Sequence, residues 1–157
     1  MKLKLPLFFR FSRRKLHKIY GVPLTFSPAA VDTITTHFKD RNLKGDYFDM
    51  VVTGDLGKIG YSIAKEQIIK NGVDIKNRYY DCGMMIYKEE QDTHAGGSGC
   101  GCCASVFSGY IYDLLKKGEV DKVLLVATGA LMSTTSAFQG NSIPGIAHAV
   151  AIERVVR

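Results

Sequence analysis

From residue 28 onward the apolar positions of this chain switch between a helical and an extended period. Val31, Ile34 and Phe38 recur at helical spacing. Ser27 is placed to cap that helix with Pro28 in its first turn, so the pattern predicts a helix to about Lys39, ended by Asn42 and Gly45. The run Tyr47-Phe48-Asp49-Met50-Val51-Val52-Thr53 reads as a buried strand. Gly54-Asp55-Leu56-Gly57 is a strand-to-helix turn, and Ile59, Ile63, Ile68 and Ile69 predict a helix closed by Asn71-Gly72. Tyr79-Tyr80 starts a short extended piece, 84–87 continues as strand or turn, and 88–92 is polar and exposed. Val106, Tyr110, Ile111 and Leu114 give a helix over 102–117 one apolar side, closed by Gly118. Residues 122–127 form a central buried strand by composition, Ala127-Thr128-Gly129-Ala130 opens a glycine-bearing turn reaching Ser133, and 145–152 is the last strand. Helices and strands alternate, which predicts an α/β layer fold.

Charge changes the picture only at the N-terminus. The formal net charge is +6, yet residues 1–27 hold seven Lys/Arg and no Asp or Glu, leaving 14 basic and 15 acidic residues in the rest. The basic character belongs to this segment, and the body from 28 to 157 gives no reason to expect nucleic acid. A basic, aperiodic 1–27 reads either as a solvated, disordered extension or as a contact for an anionic membrane surface. The 157 residues suffice for one core-bearing domain. No apolar run approaches the roughly 18 residues a membrane-crossing helix needs. Leu5-Pro6-Leu7-Phe8-Phe9, interrupted by Arg10, is a poor signal peptide, so a cytoplasmic chain with reduced thiols is expected.

The candidate chemistry is concentrated between residues 92 and 105. Gly96-Gly97-Ser98-Gly99-Cys100-Gly101 at the mouth of a helix can cradle an anion on free N–H groups, or can pack closely against a neighbouring backbone. It is not a P-loop, because no Gly-Lys-Ser/Thr follows. Cys82, His94, Cys100, Cys102 and Cys103 raise the question of zinc, but Cys-x-Cys-Cys entering a helix converges poorly on one ion, and no metal is expected. Cys100 or Cys102 as a nucleophile with His94 or His148 as base is the third reading, set against cysteine as a small buried hydrophobe.

Six segments carry a family resemblance: 29–33, Val52-Thr53-Gly54-Asp55-Leu56-Gly57, 80–87, 91–102, 127–133 and 142–150. Together they resemble the C-terminal half of the stage V sporulation protein AD family of spore-forming Firmicutes, over about four-fifths of the chain. The resemblance implies a thiolase-like half, a mixed β-sheet covered by helices, cut from a layered αβαβα fold over residues 28–157. It also implies a non-catalytic role in the SpoVA machinery: binding dipicolinic acid, as calcium dipicolinate, for uptake in sporulation and release at germination. Integral-membrane SpoVA subunits are the implied partners, with a peripheral place at the forespore inner membrane and no cofactor.

Residues 1–27 do not resemble the family's N-terminal half and read as a truncated or frame-shifted start. A half-scaffold would expose its inner face to aggregation, a homo-oligomer or a partner. The family's alternative, an acyltransferase or 3-ketoacyl synthase-like condensing enzyme, needs side chains absent here. The stretch aligned with a condensing-enzyme His-Gln-Ala-Asn reads Thr53-Gly54-Asp55-Leu56, and the catalytic asparagine falls near Gly101. The ligand contacts expected on this resemblance are His94, Gly96, Gly97, Ser98, Gly99, Cys100, Thr128, Gly129 and Ala130.

Overall fold

The computed structural model describes residues 2–4, 12–15, 22–97, 99–130, 135, 139 and 144–155. Ser98 and residues 131–133 of the expected turn lie outside them. In chain order the elements are β1 (Lys2–Lys4), β2 (Ser12–Lys15), α1 (Val22–Asp40), β3 (Met50–Thr53), α2 (Gly57–Lys70), β4 (Tyr79–Asp81) and α3 (Cys82–Met85). Then follow α4 (Cys102–Val106), a π-wound segment Phe107–Ile111, α5 (Tyr112–Lys117), β5 (Lys122–Ala130) and β6 (Pro144–Val155).

The strands form one mixed sheet in the order β1-β6-β5-β3-β4, with β2 also on β6. β3 runs parallel to β4 and to β5, whereas β6 is antiparallel to β5. Three parallel neighbours therefore end on the same edge of the sheet. Side chains alternate between faces, as the period of two requires. Val51, Leu124, Val126, Ala147, Ala149 and Ala151 bury against α1 and α2. Met50, Val52, Val123 and Ile152 bury on the other side with Cys102, Val106, Ile111 and Leu115. One helical layer thus covers each face, and the α/β fold with a mixed sheet is as expected.

Small residues let α1 lie close between the sheet and α2. Ala29, Ala30 and Ala64 are fully buried, and the Ser27 hydroxyl donates to the Gly60 carbonyl at 3.1 Å. Thr33 donates to Ala147 O at 3.2 Å. Ser27 is therefore not a cap: α1 begins at Val22, and Pro23, not Pro28, is the first-turn proline. The boundary expected between residues 27 and 28 falls inside this helix. Moreover, the described pieces of the basic segment, β1 and β2, are strands paired with β6.

Of the strand or turn expected over 84–87, the structure has the turn: α3 follows β4 directly. One other element differs from the pattern. Residues 127–130 are not a turn, because Thr128, Gly129 and Ala130 continue β5 opposite Ala147, Ile146 and Gly145. A long partner strand holds them in the ladder although Gly129 breaks the local strand signal. The helix over 102–117 has the expected ends, with Gly118 left-handed at φ 79° after it.

Candidate functional site

Because β3, β4 and β5 are parallel, the residues just past their carboxyl ends converge: Asp55 after β3, Asp81 closing β4, and Thr128 near the end of β5. In open α/β sheets this edge is where ligands bind. Two carboxylates organise it. Asp81 is only 1 % exposed. Its Oδ1 accepts from the Thr53 hydroxyl at 2.7 Å and from Leu56 N–H at 2.9 Å, and its Oδ2 accepts from Gly57 N–H at 2.9 Å. It thus serves the first amides of α2, where the helix dipole favours negative charge. Burial pushes its pKa above the usual carboxylate value; the bonds from Leu56, Thr53 and Gly57 oppose that, and the charge of Asp55 adds to it. Behind it the Tyr79 hydroxyl lies 3.2 Å from Thr53 Oγ1, its pKa raised chiefly by burial, and Tyr61 stacks on the Tyr79 ring.

Asp55 is half-buried and ties three segments together. Its Oδ1 accepts from the Thr128 hydroxyl at 3.1 Å, and its Oδ2 accepts from Gly99 N–H at 3.0 Å. Its own N–H donates to Thr128 Oγ1 at 3.4 Å. A Cβ on Gly54 would stand 2.7 Å from Thr128 Oγ1, so this turn and β5 approach at glycine distance.

The glycine-rich loop divides into two parts. Gly97 N–H donates to Gly83 O at 2.7 Å, and Lys58 N–H donates to Ala95 O at 2.7 Å. A Cβ on Gly83 would meet Gly97 O at 2.6 Å, and one on Gly57 would meet Ala95 O at 2.7 Å. Gly96, at φ 115°, would place a Cβ 2.5 Å from Gly83 O. Gly96 and Gly97 are therefore spent on close packing against α3 and the start of α2. Among the described residues, Gly99, Gly101 and Gly129 have no heavy atom within 4 Å of where a Cβ would stand. Strand alternation puts Gly129 on the same side of β5 as Val123, the side covered by α4. Among the described residues, a surface free of side chains at these three glycines thus remains beside the N-terminus of α4.

The other expected contacts are spread around this surface. Cys100 is exposed. The His94 side chain is 88 % exposed, 3.6 Å from Asp92, on a left-handed residue at φ 52°. Thr128 points its hydroxyl at Asp55, and Ala130 pairs with Gly145. Thr53, Asp55, Asp81 and Gly83 are not among the contacts expected from the sequence. The available signal was an acidic residue at or just past the end of each of two parallel strands, followed directly by a helix.

Two of the four thiols are held protonated by burial. Cys82 and Cys102 are buried among apolar side chains, where they act as small hydrophobes. Burial pushes the Cys102 thiol up to about 11, with Asp55, Asp81 and Cys103 adding to it. Among the described residues, no group of three or more His, Cys, Asp and Glu is arranged to hold a metal ion. With a thiol-specific reagent at neutral pH, Cys100 is expected to react first, and Cys82 and Cys102 only on unfolding. Peptide mapping after timed labelling checks the order; labelling of Cys102 as fast as Cys100 would revive the nucleophile reading.

Against known proteins, the family model for Stage V sporulation protein AD (SpoVAD) matches residues 20–153. Over 128 residues the chain is 44 % identical to Stage V sporulation protein AD of Bacillus subtilis (strain 168), which covers 82 % of this chain and 38 % of that protein. The chain thus spans well under half the length of the curated relative it matches. Among the described residues, no helix is long and apolar enough to cross a membrane.

Proposed function

This chain belongs to the stage V sporulation protein AD family, and from that premise we propose that it carries part of a non-catalytic site for dipicolinic acid. The supporting observation is the open surface at Gly99, Gly101 and Gly129, at the carboxyl ends of parallel strands and the start of α4. Dipicolinate is a flat dianion. A surface free of side chains lets its carboxylates approach backbone N–H groups where a helix dipole favours negative charge, although the Gly99 N–H is already taken by Asp55. Asp55 adds one negative charge at the rim, so the ligand needs its own counter-ion there, and calcium chelation supplies it.

A role in moving calcium dipicolinate during sporulation and germination follows from this reading. So does a peripheral position beside integral-membrane SpoVA subunits, with the excess of Lys and Arg in residues 1–27 favouring an anionic membrane surface. The condensing-enzyme alternative is disfavoured because Gly101 offers no side chain and Cys102 is held as a thiol. Acyl-CoA thiolysis turnover by a full-length family member would overthrow the non-catalytic reading.

Calorimetric titration of dipicolinate, with and without calcium, into this chain and a full-length family member tests the binding. Gly129→Val is the informative variant, since it fills open space on a strand that accepts a β-branched residue. Affinity is expected to fall about tenfold or more, corresponding to roughly 1.4 kcal/mol. Unchanged affinity would remove this surface from the site. Gly99 is less suitable, because its φ of 135° strains any side chain.

A further inference from the structure

Taking the dipicolinate surface as premise, we propose that Arg13 and Lys15 of β2 supply the positive charge that receives the carboxylates of the ligand, on the side of the surface away from Asp55. The placement follows from strand register. Gly129 of β5 stands opposite Ile146 of β6, and Ile146 stands opposite Arg13 of β2. Residues directly opposite one another in an antiparallel ladder share a face of the sheet, so Arg13 belongs to the face of Gly129. Alternation adds Lys15, which pairs with Pro144, and puts Arg14, opposite Gly145, on the other face. Two strand spacings, about 10 Å, separate the backbones of Arg13 and Gly129.

This end of the face is open. At the other end of β5, Val123 is buried with Cys102, Val106 and Leu115. Ala127 and Gly129 are exposed, and Ile146 and His148 beside them are only half-buried. Charge is separated across the opening: the Asp55 carboxylate lies on the β3 side, and two cationic residues lie on the β2 side. A dicarboxylate is repelled by the first and attracted by the second. Its carboxylates therefore turn toward β2, which leaves a chelated metal ion to face Asp55. Arg13 and Lys15 are two residues apart on one strand, about 7 Å, so two cations are available to the two carboxylates of one planar ring. The guanidinium can also grip a carboxylate through two parallel N–H bonds. Both residues precede the stretch matched by the family model, 20–153, so this charge comes from outside the matched region.

Calorimetric titration of sodium dipicolinate, without calcium, into the whole chain tests the assignment with Arg13→Gln and Arg14→Gln. The two variants remove the same charge one residue apart, from opposite faces. Arg13→Gln is expected to weaken binding about tenfold and to flatten the fall of affinity with added salt. Arg14→Gln should stay within about twofold of the wild type, and Arg13→Lys should recover most of the loss. Equal losses for Arg13→Gln and Arg14→Gln would mean bulk charge alone and would overturn the assignment. So would unchanged affinity in Arg13→Gln while Gly129→Val still weakens binding, an outcome that leaves the dipicolinate site standing. Wild-type chain that fails to bind, or Gly129→Val that binds as well as wild type, would remove the site and the role of Arg13 with it. The wild type decides the matter even if Arg13→Gln folds poorly, because affinity that does not fall with salt would exclude these cations.

Discussion

Gly96→Ala is expected to destabilise the protein by about 3 kcal/mol, the sum of left-handed strain and overpacking. Gly96 sits at φ 115°, and its Cβ would come 2.5 Å from Gly83 O and 3.0 Å from Gly83 C. Neither atom is the end of a flexible side chain. To relieve the clash the loop must lift off α3, which also stretches the Gly97-to-Gly83 hydrogen bond of 2.7 Å. Gly99→Ala is the control. It shares the positive φ, at 135°, but has open space around it. Urea unfolding of both variants separates the two contributions. The midpoint should fall further for Gly96→Ala, and equal shifts would mean that the loop does not pack on Gly83.

The second large effect belongs to Asp81. Replacing it with alanine leaves the Thr53 hydroxyl and the amides of Leu56 and Gly57 without their acceptor in a buried site. A loss of about 3–5 kcal/mol is expected, because each unpaired buried donor carries its desolvation cost. Asparagine keeps the shape but turns one acceptor into a donor facing an N–H, so Asp81→Asn should fall between alanine and the wild type.

The pH dependence has a definite sign. Burial raises the native pKa of Asp81 above its unfolded value. The native state therefore binds the proton more tightly than the unfolded chain. As pH falls from the raised native value toward the ordinary one, the contribution of Asp81 shifts in favour of the folded state; as pH rises again that gain is lost. Asp81→Asn should flatten this slope in unfolding curves measured across the acid range. A wild-type contribution that instead weakens over that window would show that the three hydrogen bonds outweigh burial.

The elements most readable from the sequence were those set by local chemistry. Asn71-Gly72 stops α2 and Gly118 stops α5, because a left-handed residue ends a helix whatever surrounds it. The central strands β3 and β5 follow from apolar runs. The start of α1 was hidden because Ser27-Pro28 has the form of a helix start, whereas Ser27 lies within the helix and gives its hydroxyl to the Gly60 carbonyl. β5 was cut short because Gly129 is a weak strand former, and only its pairing with Ile146 extends it.

The candidate site was half legible for a related reason. A glycine run announces that backbone must come close to something, but not to what. Here Gly96 and Gly97 answer to Gly83 and Gly57, while Gly99 and Gly101 stay open. The acidic pair was invisible as a site because its partners are distant in sequence: Asp55 meets Thr128, and Asp81 meets Thr53.

The central claim is that one half of the glycine-rich loop is a brace and the other half, with Gly129, is a receiving surface. Backbone amide NMR of the folded chain during titration with calcium dipicolinate tests this most directly. The expected result is movement of the Gly99, Gly101 and Gly129 amide signals, while Gly83, Gly96 and Gly97 stay in place. Signals that move at Gly83, Gly96 and Gly97 and stay fixed at Gly99, Gly101 and Gly129 would contradict it.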